Sequence, residues 1–249
     1  MGRVDILLEV LILSSHLAQP RKGHLEAAYN IFAYLNKQPH PPIVLDDKVI
    51  KINESAFNKT SWDESIYGDV KEELPNRMPK PLGNPVYMTC FVDANHAGEC
   101  STRRSHTGFI IYLNNAPIDW YSKKQNTVES STFGSEFVAM RIAMEKIRAL
   151  RFKLRMFGIS IECPTSMLGD NESVVNTASK VEAKLNKKHN AICYHAVREA
   201  CAAGWLRVGW EPTESNIADL FTKMLPIDRR GDLLRSVYLR TQRMDPGED

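Results

Sequence analysis

Prolines divide this sequence before any other residue type does. Seven of its thirteen prolines, Pro39, Pro41, Pro42, Pro75, Pro79, Pro81 and Pro85, fall within residues 38–85. Each lacks a backbone N–H and fixes φ, so the stretch excludes a regular helix or a central strand. It reads as a connector with one short strand, Ile43 to Leu45, that proteases should cut before they cut residues 86–226. Any core must therefore come from the flanking sequence. On the N-terminal side, residues 1–37 hold two helical patterns broken at Pro20. The second, Gly23 to Lys37, aligns Leu25, Ala28, Phe32 and Leu35 on one stripe. Apolar residues such as Leu7, Leu11, Phe32 and Leu35 are expected to stay exposed or to dock loosely.

On the other side the pattern is regular. Val86 to Asp93, Gly108 to Leu113 and Ile118 to Ser122 are strand-like, and Asn114-Asn115-Ala116-Pro117 is a hairpin signal. A helix is predicted from about Ser131 to Phe157, then a strand over Ser166–Leu168 leading into Asp170 and a short helix. A further helix spans Ile192 to Ala203, a strand Trp205 to Trp210, and a last helix Asn216 to Met224, with Ser215 as its N-cap and Pro226 as its stop. Hairpin-linked strands followed by helix–strand–helix–strand–helix predict a mixed five-stranded α/β sheet flanked by helices. Residues 227–249 read as a tail.

Composition acts by exclusion. The chain has 249 residues, 43% hydrophobic and 25% charged, which argues against disorder. Thirty-two Lys and Arg against thirty Asp and Glu give a net charge of +2, so a nucleic-acid partner has to be argued from a local surface. The longest apolar run, Ile6 to Leu13, is interrupted by Glu9 and is too short to span a membrane. The five cysteines (Cys90, Cys100, Cys163, Cys193, Cys201) contain no CxxC pair, which fits a reduced, intracellular setting.

Four acids stand where acids are costly. Asp93 and Asp170 each close an apolar strand, the end at which open α/β sheets bind ligands. On a helical wheel, Met140, Ala143, Ile147, Leu150 and Leu154 all fall within about 40° of Glu136. Glu136 therefore heads the core-facing stripe, and a cationic partner is expected for it. Asp219 lies in the last helix, off its Ile217/Leu220/Phe221 stripe. Clustered carboxylates repel unless a hard cation neutralises them. Mg²⁺ keeps waters and substrate phosphates among its ligands, and a pair of such ions can drive phosphodiester hydrolysis.

At these residues the sequence resembles the ribonuclease H domain of copia-type retrotransposon polyproteins. The matching stretches are Val92-Asp93-Ala94-Asn95-His96-Ala97-Gly98, Thr102-Arg103-Arg104-Ser105-His106-Thr107-Gly108, Trp120-Tyr121-Ser122-Lys123-Lys124-Gln125, Ser130-Ser131-Thr132 through Glu136, Gly169-Asp170-Asn171-Glu172-Ser173, Lys188-His189-Asn190, and Pro212-Thr213-Glu214 through Ala218-Asp219 with Thr222-Lys223. They occur in family order over about residues 86–226. Residues 2–37 resemble the last helices of the preceding reverse transcriptase domain. The resemblance implies a ribonuclease H-like fold in which Asp93, Glu136, Asp170 and Asp219 are catalytic and hold two Mg²⁺ ions, or Mn²⁺ in their place. It implies cleavage of the RNA strand of RNA–DNA hybrids, with the rest of a reverse transcriptase as partner, no membrane, and a cytoplasmic, particle-associated or nuclear setting. His96 and Phe133-Gly134-Ser135 depart from the family pattern without removing a ligand. Val44-Leu45-Asp46-Asp47 mimics a polymerase motif but reads as a turn, so this chain should not polymerise.

For nucleic-acid contacts the candidates are Arg141, Arg148 and Arg155, which recur every seven residues with Arg151 beside them, together with Arg103, Arg104, Lys123 and Lys124 at loop ends. His189 and His195 are candidates for proton transfer. The competing reading is a non-catalytic module of the same fold that grips the hybrid or packs against polymerase parts. Integrases of this fold use three acids in a different order, and the motifs after Asp170 do not suit them.

Overall fold

The computed structural model describes residues 3–39, 41–63, 65–99, 102–185 and 188–238. Cys100 and the tail beyond Tyr238 lie outside the described residues. Five strands, β1 Met88–Asn95, β2 His106–Leu113, β3 Ala116–Lys124, β4 Thr165–Gly169 and β5 Leu206–Trp210, form one sheet in the order β3-β2-β1-β4-β5. β1, β2 and β3 are antiparallel, and Asn114 takes a left-handed φ of 53° in the β2–β3 hairpin. β4 and β5 run parallel to β1, so each needs a crossover. Helix α3, Thr132–Met156, leads into β4, and helices α4, Glu172–Ser179, and α5, Ala191–Ala202, lead into β5. The Ser131 side chain caps α3 by accepting from the Gly134 N–H at 3.3 Å. The result is the mixed five-stranded sheet flanked by helices that the sequence predicts.

Side-chain alternation along the strands builds two cores. Cys90, Val92, Phe109, Ile111 and Met167 pack with Met140, Ala143 and Ile147 of α3 and with α5. Phe91, Ile110, Tyr112 and Leu168 point the other way, toward Ala218, Phe221, Leu233 and Val237. This second face shows where the C-terminal reading needs correction. Asn216, not Ser215, is the cap, its side chain accepting from the Ala218 N–H at 3.1 Å. The last helix is only a 3₁₀ turn, Ile217–Phe221, and the expected tail begins with a helix, α6 Ile227–Leu234, that follows Pro226 directly. Leu233, Val237 and Tyr238 are buried. A proline fits the start of a helix as well as its end.

The proline-rich stretch is not a free linker. Ile43 makes a single bridge to Tyr238 in place of a strand, and Asp46 accepts from the Lys48 N–H in a turn. Farther on, Phe57 bridges Gly209 at the open edge of β5 while Glu54 pairs with Arg207 at 2.6 Å. Asn58 reaches Ser179 at 2.7 Å, Trp62 lies over the Arg198 guanidinium, Glu72 binds the far end of α3, and Leu82 bridges Ile159. The segment is a strap that covers an otherwise open sheet edge.

Of the two N-terminal helices, α1 Leu7–Ser14 is docked on the second core, and α2 Lys22–Lys37 lies against α1, with Arg230 stacked over its Tyr34 ring. Val4 and Leu8 are buried beside the second core, and Leu7 packs partly against it. Buried Asp5 accepts from the Tyr238 hydroxyl at 3.1 Å, and Arg230 pairs with Glu9 at 2.9 Å. Helix α2 buries no residue and exposes Leu25, Tyr29 and Phe32.

Candidate metal centre

Three separate elements converge at one end of the sheet. β1 and β4 are parallel neighbours with Phe91 opposite Leu168, so Asp93 and Asp170, each two residues farther along, arrive side by side. Glu136 sits in the first turns of α3, which packs over this end of the sheet with Met140 reaching Gly169. A Cβ there would lie 2.9 Å from Met140 Cε. Asp93, Glu136 and Asp170 each offer a carboxylate oxygen, all within 4.8 Å of one another.

Asp219 joins this trio through a lysine. Lys223 Nζ lies 2.6 Å from Asp219 Oδ1, 3.1 Å from Asp93 Oδ1 and 4.0 Å from Asp170 Oδ2. Arg229 pairs with the other oxygen of Asp219. The turn carrying Asp219 can cross here because Gly108 stands opposite Asp93 in β2. A Cβ on Gly108 would fall 2.6 Å from Thr222 Cγ2 and 2.7 Å from Phe221 Cβ. Thr222 donates to Asp93 Oδ2, and Thr213 donates to Asp170 Oδ2 at 3.0 Å.

The electrostatics set Glu136 apart. It is buried and makes no ion pair among the described residues, contrary to the expected cationic partner. Burial, then the charges of Asp93 and Asp170, push its pKa well up. Burial also raises Asp170, with Asp93 adding to the effect. Asp93 is raised by burial and by Asp219 despite the pull of Lys223. Burial works against the Lys223 ammonium, but Asp93 and Asp219 outweigh it and hold that pKa above the ordinary lysine value. Three hard oxygen donors with an unneutralised member among them suit a small divalent cation such as Mg²⁺ or Mn²⁺.

The expected arginine ridge is only partly available. Arg155 is committed to Glu72 at 2.6 Å and to the Ile161 carbonyl at 3.1 Å. Arg151 is buried on the same carboxylate and on the Cys163 carbonyl, both at 3.0 Å. Arg141 pairs with Glu145, which leaves Arg148 exposed on that face. At the loop ends Arg103 and Lys123 are exposed, Lys124 pairs with Glu99, and Arg104 donates to the Asn126 carbonyl at 3.1 Å. His189 adjoins the α3 N-terminus, 3.8 Å from Glu129, and is exposed. His195 is bound to the Tyr67 hydroxyl of the strap at 2.9 Å.

Sequence reasoning assigned no role to Lys223, Arg229, Thr213 or Glu72. Lys223 carried a signal, since it stands four residues after Asp219, a spacing at which side chains on a helical turn meet. Thr213 lies within the matching stretch Pro212-Thr213-Glu214, whereas Arg229 and Glu72 depend on long-range folding and had no signal.

No protein-family model matches the chain. It is 27% identical over 223 residues, 90% of its length, to the retrovirus-related Pol polyprotein from transposon RE1 of Arabidopsis thaliana. It is 30% identical over 143 residues, 57% of its length, to the corresponding polyprotein from transposon RE2 of the same plant. The chain spans only 13% and 10% of these two relatives. Among solved structures, LC11-RNase H1 in complex with RNA/DNA hybrid aligns with 54% of this chain and 93% of its own, at 15% identity and a TM-score of 0.44.

Proposed function

We propose that this chain, which is related to the Pol polyproteins of copia-type transposons, hydrolyses the RNA strand of RNA–DNA hybrids at Asp93, Glu136, Asp170 and Asp219. The observation that carries this reading is the buried, unpaired Glu136 facing Asp93 and Asp170 within 4.8 Å. Such a cluster is costly in a protein with nothing to place in it. Divalent ions held by these carboxylates, in the two-ion arrangement, would supply an activated water and charge stabilisation for the leaving 3′-oxygen.

The chain's own groups hold that arrangement in place. Thr222 and Thr213 fix the rotamers of Asp93 and Asp170, and Arg229 fixes Asp219. Exposed Arg103, Lys123 and Arg148 meet phosphates, and the duplex is read by shape and 2′-hydroxyls rather than by base sequence. His189 is the better placed histidine for proton transfer, because His195 is engaged by Tyr67. Within this reading, residues 86–226 are the catalytic unit, α6 extends it, and the N-terminal helices belong with the remainder of a reverse transcriptase.

The test is cleavage of a labelled RNA–DNA hybrid with Mg²⁺, with Mn²⁺ and with EDTA. Asp170→Asn keeps the shape and removes one charge, so the rate should fall on the order of 10²–10³-fold while hybrid affinity changes little. Equal rates for parent and variant, or cleavage that persists in EDTA, would overturn the proposal.

A further inference from the structure

The four acids are not equivalent, and Lys223 is the reason. On one side Asp93, Glu136 and Asp170 bring oxygens together, and Glu136 makes no ion pair among the described residues. On the other side, between Asp93 and Asp219, the Lys223 ammonium already bonds both carboxylates, at 3.1 and 2.6 Å. Arg229 holds the second oxygen of Asp219. Lys223 and Arg229 thus occupy the Asp219 side of the centre, and the Glu136 side is left open to a divalent ion. The Lys223 side chain is 32% exposed, so it has a route to solvent on its flexible four-carbon stem.

We infer that Lys223 is the placeholder of this centre: one divalent ion loads beside Asp93, Glu136 and Asp170 with the ammonium in place, and a second, shared by Asp93 and Asp219, loads only as Lys223 withdraws. This rests on the metal-centre reading above and makes loading stepwise, with the second step coupled to a side-chain movement. With its Nζ 3.1 Å from Asp93 and 2.6 Å from Asp219, the ammonium fills the space between the two carboxylates that a shared ion would need, and like charges repel at that range.

The experiment is calorimetric titration of Mn²⁺ into the metal-free chain and its Lys223→Met variant. The parent should bind one ion tightly and a second at least about tenfold more weakly, and the variant should tighten the second step by about tenfold or more. A parallel measurement needs no variant. Acylation of lysines read by peptide mass spectrometry should mark Lys223 several-fold faster at saturating Mg²⁺ than in EDTA, with exposed Lys123 unchanged. Identical isotherms for parent and variant, or Lys223 labelling indifferent to Mg²⁺, would overturn the placeholder role and leave the metal centre standing. If neither chain binds Mn²⁺, the metal-centre reading falls as well. If the variant does not fold, the labelling of the parent decides.

Discussion

Glu136 shows how far one residue can be read without a structure. Its position on the apolar stripe of α3 follows from a 3.6-residue period, and so does its burial. What periodicity cannot show is who faces it. No cation pairs with it directly among the described residues; Lys223 acts on it only through its charge, and its carboxylate neighbours are Asp93 and Asp170, brought in by β1 and β4. That has a measurable consequence. Its folded pKa lies above its unfolded one, so it stabilises the metal-free fold fully below the ordinary carboxyl pKa. That contribution is lost as pH rises through the raised value. Asp93 and Asp170 act with the same sign. Melting temperature in EDTA should therefore fall as pH rises above the ordinary carboxyl pKa. Glu136→Gln should flatten the fall, and Mg²⁺ should restore stability at the alkaline end. A parent whose melting temperature climbs over that range in EDTA would contradict the account.

At the scale of elements, the sheet and α3 were legible because their residues repeat with periods of two and 3.6. The 217–222 segment was not, because a 3₁₀ turn is too short to show a period. Its placement is decided by contacts remote in sequence. Ser122 of β3 donates to the Phe221 carbonyl at 2.6 Å, and Asn95 of β1 donates to the Thr222 carbonyl at 3.0 Å. Gly108 provides the space. We expect Gly108→Ala to push Thr222 and Lys223 away from Asp93, at a cost of about 1–3 kcal/mol and at least about tenfold in hybrid cleavage. The strands should survive, since β2 keeps its backbone pairing on both sides. Thermal melting with circular dichroism, beside the cleavage assay, checks this, and a fully stable, fully active Gly108→Ala would contradict it.

Across the whole molecule, the contacts of the strap were not legible, because proline counting shows what a segment cannot be and is silent on what it touches. Glu72 carries no local signal, yet it binds Arg151 and Arg155, 79 and 83 residues away. Burial disfavours its charge, but the two guanidiniums prevail and hold its pKa down at about 2. Its stabilisation is thus present above the ordinary glutamate pKa and lost only as pH falls toward that value. Glu72→Gln should cost on the order of 3 kcal/mol, because Arg151 is left buried without a counter-charge. It should also open the strap to proteases while hybrid affinity holds. Chemical denaturation and limited proteolysis test this, and an unchanged midpoint would refute it. A longer-range brace is Asp5 with Tyr238, 233 residues apart. Ribosomes make Asp5 early and Tyr238 late. Val4 and Leu8 therefore leave the exit tunnel long before their seat on the second core exists, and they must be shielded from neighbouring chains in the meantime. Within this chain the partner made earlier waits for the one made later, so the rate at which this fold is completed in a cell is tied to the rate of translation.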